Sequence, residues 1–553
     1  MKKISNIFIS FGLGSLALLN TSCLDETVPN NYATSEQIAG ASMATEALAA
    51  AMPQYFNAGE DDYHYQFAYG AMMRIRDVCT GDFVVTDSGY DWFTQWEENQ
   101  YLGRDYAAPG YIWRYYYKHV LTTTNLLGAI SDPESALDDV KGYYGAASAF
   151  RAMLYLDLAR MYEFLPVTMN SDEAWAGASG VNEDGNEVVN LTVPIVSESL
   201  SMDDSRNNPR ATREEMKAFI ENDLDNAEKY IGYLPTSSNT YPHLDAVYGL
   251  KARLYMWVED YAKAEEYARK AIEASNSHVM TEAECLDTKT GFNDLSKWMW
   301  GSQQVAEDFT VQTGIINWTS WMSNETTFGY AGASNGPYVQ IDAHMYNRMS
   351  NTDFRKKMYK APSGTELDGA TPWINYELVG ANLPDYSSVK FRPNAGNMEE
   401  YTVGAASAYP VMRIEEMYFI EAEAAAQQSP SKGKSLIKDF MQTYRDPNYD
   451  IYVSSKEDVV EEIVFQKRVE LWGEGQSFFD IKRLDYPVTR GYIGTNYTDK
   501  LAIFNTAGRP AWMNFVIVRS EGNNNEAVQK FNNPDPSDKC KTVDEQNYIE
   551  RKQ

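Results

Sequence analysis

Residues 248–272 read YGLKARLYMWVEDYAKAEEYARKAI. In this stretch Tyr248, Ala252 and Tyr255 are followed, at the spacing of successive helix turns, by Ala264 and Ala271. Small alanines let two antiparallel helices approach closely, and the tyrosines fill the gap that remains between them. We therefore predict a closely packed pair of helices in this part of the chain.

The spacing matches the tetratricopeptide pattern, in which a helix pair needs neighbours because it cannot bury its outer face alone. Further segments have apolar residues at three- and four-residue spacing, namely residues 142–164, 212–233, 412–427 and 454–472. Thr212 with Glu215, and Ser454 with Glu457, predict capping boxes at helix starts. The sequence thus predicts a mostly α fold, with tetratricopeptide-like pairs forming an α-superhelical scaffold.

Long polar stretches rich in Gly and Asn separate the predicted helices, at residues 165–211, 280–410 and 484–553. Loops of this length inside a compact chain are usually functional. Aromatic residues make up 13% of the chain, and many lie outside the helices: Trp92, Trp96, Tyr101, Trp298, Trp300, Trp318, Trp321, Tyr330 and Tyr338. Because core packing alone would favour aliphatic residues, these rings indicate a loop-rich, irregular ligand-binding half.

The N-terminal segment has the features of an export signal. Lys2 and Lys3 precede an apolar run over residues 7–19, which is too short to span a bilayer. Small residues then precede Cys23, as in a bacterial lipobox, so we expect a signal peptide (1–22), lipidation of Cys23 and a tether (23–40). Asn20 departs from the usual apolar residue, which leaves an ordinary signal peptide as the alternative.

The amino-acid composition limits which ligands, metals and macromolecules the protein is expected to bind. A formal net charge of -30 repels phosphate backbones and anionic lipid heads, so nucleic-acid binding is disfavoured and a neutral ligand is expected. Cys79, Cys285 and Cys540 are widely spaced, and they indicate neither a zinc site nor a disulfide framework, although one disulfide of open pairing is possible. The five histidines show no metal-binding spacing, so we expect no metal and no cofactor.

Four segments carry longer motifs. They read GAASAFRAMLYLDLARMY (145–162), AYPVMRIEEMYFIEAE (408–423), IVFQKRVELWGEG (463–475) and FVIVRSE (515–521). Their sequence and order resemble the SusD/RagB family, in which the last segment is a closing strand and turn. Gln466 and Ser477 stand where this family commonly has acidic and arginine residues, so we expect one or two weaker ion pairs.

This resemblance implies a surface-exposed lipoprotein of the outer membrane. Such a protein would bind an oligosaccharide or polysaccharide and deliver it, as a lid, to a SusC-like TonB-dependent transporter. The resemblance also divides the mature chain into a region with tetratricopeptide-like helices (41–280) and a region with long binding loops and late helices (281–553).

Catalytic patterns occur only in fragments. Gly332 to Gly336 forms a GxSxG pattern around Ser334, but Pro337 follows directly, and His344 is the one histidine downstream. No catalytic residue is assigned, and the family resemblance favours binding alone. Glycoside hydrolysis needs only two carboxylates, so a hydrolase remains an alternative. A peptide-binding, RagB-like uptake lipoprotein and a protein-binding tetratricopeptide scaffold also remain.

The predicted glycan site centres on Trp96 and Asn99. Three residues apart on a helical turn, they offer a stacking plane beside an amide that can pair with hydroxyls. The segment also resembles the region where glycan-binding family members carry a platform tryptophan with a nearby asparagine. We expect support from Trp92 and from a second loop that contains Trp318, Trp321 and Tyr330. The alternative is that Trp96 belongs to the core.

Overall fold

The structure is a computed structural model that describes residues 45–551, apart from residues 47–48, 61–62, 87–92, 98, 170–174, 334–335 and 541. The predicted signal peptide, Cys23 and tether, together with Trp92 and Ser334, lie outside the described residues. No described helix combines the length and the apolar character needed to cross a membrane.

Helices form most of the regular structure. The longer ones are α1 (Ala68–Val78), α2 (Ala107–Ala129), α3 (Asp138–Tyr162), α4 (Arg213–Tyr230), α5 (Leu244–Trp257), α6 (Tyr261–Ala274), α7 (Ile414–Gln428), α8 (Pro430–Tyr444), α9 (Lys456–Glu470) and α10 (Ser477–Leu484). Shorter helices lie mainly in the long loops, and they include Ala51–Gln54, Thr94–Glu97, Glu282–Leu286, Phe309–Gln312, Trp318–Met322, Ala343–Arg348, Tyr401–Gly404, Arg519–Asn524 and Glu526–Gln529. The chain is mostly α, as predicted.

The predicted pair at residues 248–272 is confirmed by α5 and α6. Ala264 and Ala271 are fully buried, and the rings of Tyr255 and Tyr267 stack with their centroids 5.4 Å apart. Helix α6 also packs against α7, and α7 packs against α8 and α9. Tetratricopeptide-like pairs from both halves of the sequence therefore form one continuous scaffold.

Helices α3 and α4 approach closely because α3 carries glycines at the contact. A Cβ atom at Gly145 would lie 2.7 Å from the backbone nitrogen of Ile231, just after the end of α4. The capping box of Thr212 and Glu215 at the start of α4 is confirmed. The predicted box at Ser454 is wrong by one residue, because Ser455 caps α9 and accepts a hydrogen bond from the backbone of Asp458.

Short antiparallel strands join segments that are far apart in sequence. The pairs are β1 (Phe83–Val85) with β5 (Val339–Ile341), β2 (Leu191–Pro194) with β3 (Arg210–Thr212), and β4 (Trp300–Gln303) with β6 (Ala408–Met412). Residues 515–518 have no regular secondary structure and join no described sheet, and the short helix Arg519–Asn524 follows them. The predicted closing strand and turn is therefore corrected to an irregular segment followed by a short helix.

The main hydrophobic core of the described residues extends from Ala49 to Val528, and two small clusters lie beside it. The main core includes side chains on both sides of residue 280, and the bounds of the two predicted regions stay a prediction. Cys79 and Cys285 are buried free thiols.

A buried carboxylate joins three late segments of the chain. The side chain of Glu470, at the end of α9, accepts hydrogen bonds from Arg445 Nε (2.8 Å), Arg413 Nη1 (3.1 Å) and Arg355 Nη1 (3.2 Å). These guanidinium groups hold the pKa of Glu470 well below its usual range, although burial opposes them. Gln466, one turn earlier, still accepts a hydrogen bond from Arg355 Nη2 (2.5 Å) in place of an ion pair.

Two glycines at the same position of two helices give a matched test of this packing. A Cβ at Gly433, in the first turns of α8, would lie 2.6 Å from the carbonyl oxygen of Ala422, whereas a Cβ at Gly110 in α2 would meet nothing within 4 Å. We expect Gly433→Ala to lose about 1 to 3 kcal/mol by overpacking, partly offset by the ~1 kcal/mol that alanine gains in a helix. Gly110→Ala shows only that gain.

Denaturant unfolding of both variants and the wild type measures the difference. A gain in stability by Gly433→Ala as large as that of Gly110→Ala would contradict the close approach of α7 and α8.

Candidate ligand-binding site

Trp96 lies in the short helix Thr94–Glu97 but points into the interior. Its side chain is 4% exposed, and its ring packs edge-on against Phe515 with centroids 5.1 Å apart. A pyranose ring needs an open aromatic face, so this burial does not fit the predicted stacking platform. The geometry matches the alternative in which Trp96 belongs to the hydrophobic core. A role of Trp96 in binding stays a prediction.

Asn99 is also buried, at 1% exposure, with a left-handed backbone conformation (φ 56°). Its backbone oxygen accepts a hydrogen bond from the backbone nitrogen of Asp538 (3.0 Å). With its amide nitrogen turned toward the carbonyl oxygen of Pro536 (3.1 Å), the side-chain oxygen faces the backbone nitrogens of residues 538–540. Asn99 therefore holds a C-terminal loop in place, instead of offering a free amide to sugar hydroxyls.

The tryptophans of the second loop are fully buried too. Trp318 packs against Phe391 and Tyr409, with both centroid distances 5.0 Å. Trp321 donates its indole N–H to the backbone oxygen of His64 (3.0 Å). This burial does not fit open stacking platforms, and a role of these two rings in binding stays a prediction.

Among the predicted rings that the structure describes, Tyr330 remains partly exposed. It stacks on Trp321 with centroids 4.3 Å apart and planes at 15°, so a buried indole supports a partly exposed tyrosine. Phe93 packs edge-on against the same indole at 5.0 Å. The two predicted loops thus meet at Trp321, through Phe93 and Tyr330, although Trp96 and Trp318 lie elsewhere.

The structure adds two residues that the sequence reasoning missed. His64 lies 4.8 Å from Tyr330 between ring centroids, and the neighbouring Tyr63 stacks on Tyr65 at 5.5 Å with planes at 5°. Tyr63 and His64 are both partly exposed. The run Asp-Asp-Tyr-His-Tyr at 61–65, with three rings in a polar stretch, was the available signal. We name Tyr63, His64 and Tyr330 the aromatic surface.

A buried arginine stabilises the base of the aromatic surface. Arg74 of α1 is fully buried, and its guanidinium lies 4.9 Å from the ring centroid of Phe93 and 5.0 Å from that of Trp321. Its Nη1 donates to the backbone oxygen of Trp321 (2.7 Å). Cation–π contacts in such a desolvated position are worth about 2 kcal/mol or more, so Trp321 is a fixed support for Tyr330.

Over the described residues, no three His, Cys, Asp or Glu side chains are close enough to hold a metal ion. His344 is partly buried, and burial with the charges of Arg551 and Arg348 lowers its pKa to about 4. It is therefore neutral at pH 7.

The aromatic surface, with phenol, imidazole and hydroxyl groups, can stack apolar rings and pair with their polar edges.

The sequence matches two family models. Residues 302–551 match the model described as SusD family, and residues 43–256 match the model described as starch-binding associating with outer membrane. The matched segments lie on either side of the 257–301 stretch and together include most of the chain. Comparison with curated protein sequences finds no match.

Solved structures share the fold over nearly the whole chain. A SusD-like carbohydrate binding protein from Bacteroides vulgatus is 22% identical, with a TM-score of 0.68, and the match covers 90% of this chain and 98% of that one. A SusD superfamily protein from Bacteroides thetaiotaomicron is 18% identical, with a TM-score of 0.65 and coverages of 89% and 99%. A putative sugar binding protein from Bacteroides vulgatus is 17% identical, with a TM-score of 0.64 and coverages of 88% and 97%.

These identities establish a common fold, and the family itself follows from the two models. The motifs at 145–162, 408–423 and 463–475 occupy α3, β6 with α7, and α9, where they form the scaffold described above. The chain belongs to the SusD/RagB family.

Proposed function

We propose that this protein binds glycan without cleaving it and delivers it to a SusC-like, TonB-dependent transporter at the outer membrane. The observation that carries the proposal is the aromatic surface, a set of partly exposed rings held on a buried base. Support also comes from the printed descriptions of the relatives, which name starch binding, carbohydrate binding and association with the outer membrane.

A sugar fits the aromatic surface by shape and by charge. The apolar face of a pyranose ring lies flat on a phenol or imidazole ring, and hydroxyl groups at its edge pair with nearby polar atoms. If each stacked ring removes about 60 to 100 Å² of apolar surface, it contributes roughly 1.5 to 2.5 kcal/mol. Two or three such rings give roughly 3 to 7 kcal/mol before the ordering cost, so we expect dissociation constants from about 10 micromolar into the millimolar range.

The net charge of -30 favours a neutral ligand, because an anionic polymer would be repelled by the chain as a whole. Weak and reversible capture also suits a protein that hands its ligand to a transporter.

A peptide ligand is the second candidate from the sequence, and it would use a groove with free strand edges. The edge of β5 away from β1 is occupied, since the backbone of Ile341 donates to Tyr386 and that of Ser388 donates to Val339. Peptides are therefore tested beside glycans as the second candidate ligand.

Tyrosine variants test the site. We expect Tyr330→Ala to weaken glycan binding by roughly 1.5 to 2.5 kcal/mol, about 10- to 70-fold, because it removes the accessible stacked ring. Tyr452→Ala is the matched control, since Tyr452 is 88% exposed and far from the aromatic surface in sequence. Trp96→Ala should instead cost about 3 to 5 kcal/mol of stability, as expected for a buried ring.

Isothermal titration with a glycan panel and a peptide panel, together with thermal unfolding, measures these effects. Loss of glycan affinity in Trp96→Ala at unchanged melting temperature, with Tyr330→Ala unaffected, would move the site to Trp96. Incubation of the wild type with each bound glycan should release no reducing ends. Turnover that tracks the purified protein would contradict non-catalytic binding.

We further propose that a lipid on Cys23 anchors the protein and that the helical scaffold docks on the transporter. Three acyl chains, as in typical bacterial lipoproteins, would hold a folded domain firmly at about 0.8 kcal/mol per buried methylene. We expect detergent extracts of the outer membrane to yield the wild type together with a TonB-dependent barrel. Cys23→Ala should appear in the soluble fraction, without lipid labelling and with unchanged folding. Membrane retention of Cys23→Ala would contradict the anchor.

A further inference from the structure

A charged cavity lies where the early helices meet the late ones. The space that it leaves for water-sized groups measures about 40 Å³, and its walls come from the end of α3, the start of α4, the second half of α5, and from α7, α9 and α10. By the same measure one water molecule needs about 10 to 15 Å³, so the cavity has room for more than one water and can take a small polyatomic ion. It is separate from the aromatic surface, whose residues do not line it.

The walls carry more positive than negative charge. The lining cations are Arg160, Arg213, Arg253, Lys467, Lys482 and Arg483, and the lining carboxylates are Glu163, Glu416 and Asp480. Two carboxylates behind the wall, Asp157 and Glu423, pair with Arg160 and Arg483, but Asp157 also pairs with the buried Arg76. When Arg76, Asp157 and Glu423 are added to the lining residues, the group contains seven cations and five carboxylates. It therefore carries a formal excess of two positive charges.

Lys482 contributes directly to this excess. Its Nζ donates to the backbone oxygens of Met161 and Glu163, at 2.8 Å each, at the end of α3. It pairs with no carboxylate of the described residues, and it is only 3% exposed. The carbonyls at a helix end offset part of an ammonium charge, and one N–H of the group is left for a ligand.

Arg253 provides donors that no protein group accepts. It is 3% exposed, and its Nε and Nη2 bind the carboxylate of Glu416 at 2.7 and 2.6 Å. Its Nη1 is buried and has no hydrogen-bond partner in the described structure. An unsatisfied buried donor on a charged group is costly, so the N–H groups of Nη1 need an acceptor. Arg253 lines the cavity, which can supply that acceptor as a bound ligand.

We propose that the cavity binds one small oxyanion of the phosphate or sulfate type, held by Arg253, Arg160 and Lys482. Such an anion offers several acceptor oxygens in the geometry that guanidinium forks recognise. It also offsets the two excess charges, which a water molecule cannot do. Because the ligands come from α3, α5 and α10, the anion stabilises the junction between the early and the late helices.

The charge environment of the cavity agrees with an uncompensated positive field. Burial lowers the pKa of Lys482 well below its usual range, and the nearby charges of Arg509, Arg210 and Arg213 lower it further, against the attraction of Glu163. Burial also lowers the pKa of Arg160, and the nearby charges of Arg253 and Arg76 lower it further, against the attraction of Asp157. The overall charge of -30 does not cancel this field, since most of the acidic groups are solvated and screened beyond about 10 Å.

Crystals of the wild type grown with selenate test the site directly, because selenium gives an anomalous signal. We expect an anomalous peak inside the cavity, within hydrogen-bond distance of Arg253 Nη1. Water alone in the cavity, or selenate bound only at surface lysines, would overturn the proposal.

Thermal unfolding gives a second, independent readout. At a hundredfold excess over Kd, a ligand of the native state should raise the melting temperature of a chain of this size by about 2 °C. We expect this rise with sulfate or phosphate in the wild type, compared with acetate and chloride at equal ionic strength. Because sulfate also stabilises proteins generally, the comparison between variants decides.

The decisive pair is Lys482→Met and Lys432→Met. The first removes the ammonium from the cavity, and the second removes a surface ammonium that is paired with Glu265. The sulfate-specific rise should disappear in Lys482→Met and persist in Lys432→Met. Equal rises in both variants would contradict binding in the cavity. If Lys482→Met does not fold, the selenate crystals still decide the question.

Discussion

The carboxylate of Glu470 sets the arrangement of the late half of the chain. Three arginines from separate segments, Arg355, Arg413 and Arg445, reach it inside the core. Removing one partner from such a buried cluster costs about 3 to 5 kcal/mol, since a charge is then left without compensation. The cluster therefore holds α7, α8 and α9 in place relative to the short 3₁₀ helix Phe354–Met358.

The same cluster extends toward the binding surface. Lys390 donates to the backbone oxygen of Glu470 (2.8 Å) and to Glu474 (2.7 Å), which also binds Arg413. Two residues further, Arg392 pairs with Glu325 in a fully buried contact. Glu325 belongs to the loop between Trp321 and Tyr330. The rings that face solvent thus rest on a base whose position is fixed by buried ionic contacts, so the loop is pre-organised and little ordering entropy is lost on binding.

The scaffold could be predicted because its signals are local. Alanine and tyrosine spacing at residues 248–272 follows from helix geometry, and the motifs at 408–423 and 463–475 contain Arg413 and Glu470 themselves. The cap of α9 was missed by one residue, since Ser454 and Ser455 are adjacent and both precede an acidic residue by three positions. Which of the two serines caps the helix depends on the exact residue at which α9 begins, and residue spacing alone does not determine that residue.

The binding surface was harder to predict because burial depends on distant partners. Trp96 and Asn99 have suitable local spacing, but Phe515 and residues 536–540, more than 400 positions later, cover them. Tyr330 was predicted, whereas His64 joins it only through the fold. A crystal structure of the protein with a bound oligosaccharide tests the aromatic surface most directly. We predict a sugar ring stacked on Tyr330 beside His64 and Tyr63, and a sugar bound elsewhere with this surface empty would contradict the proposed site.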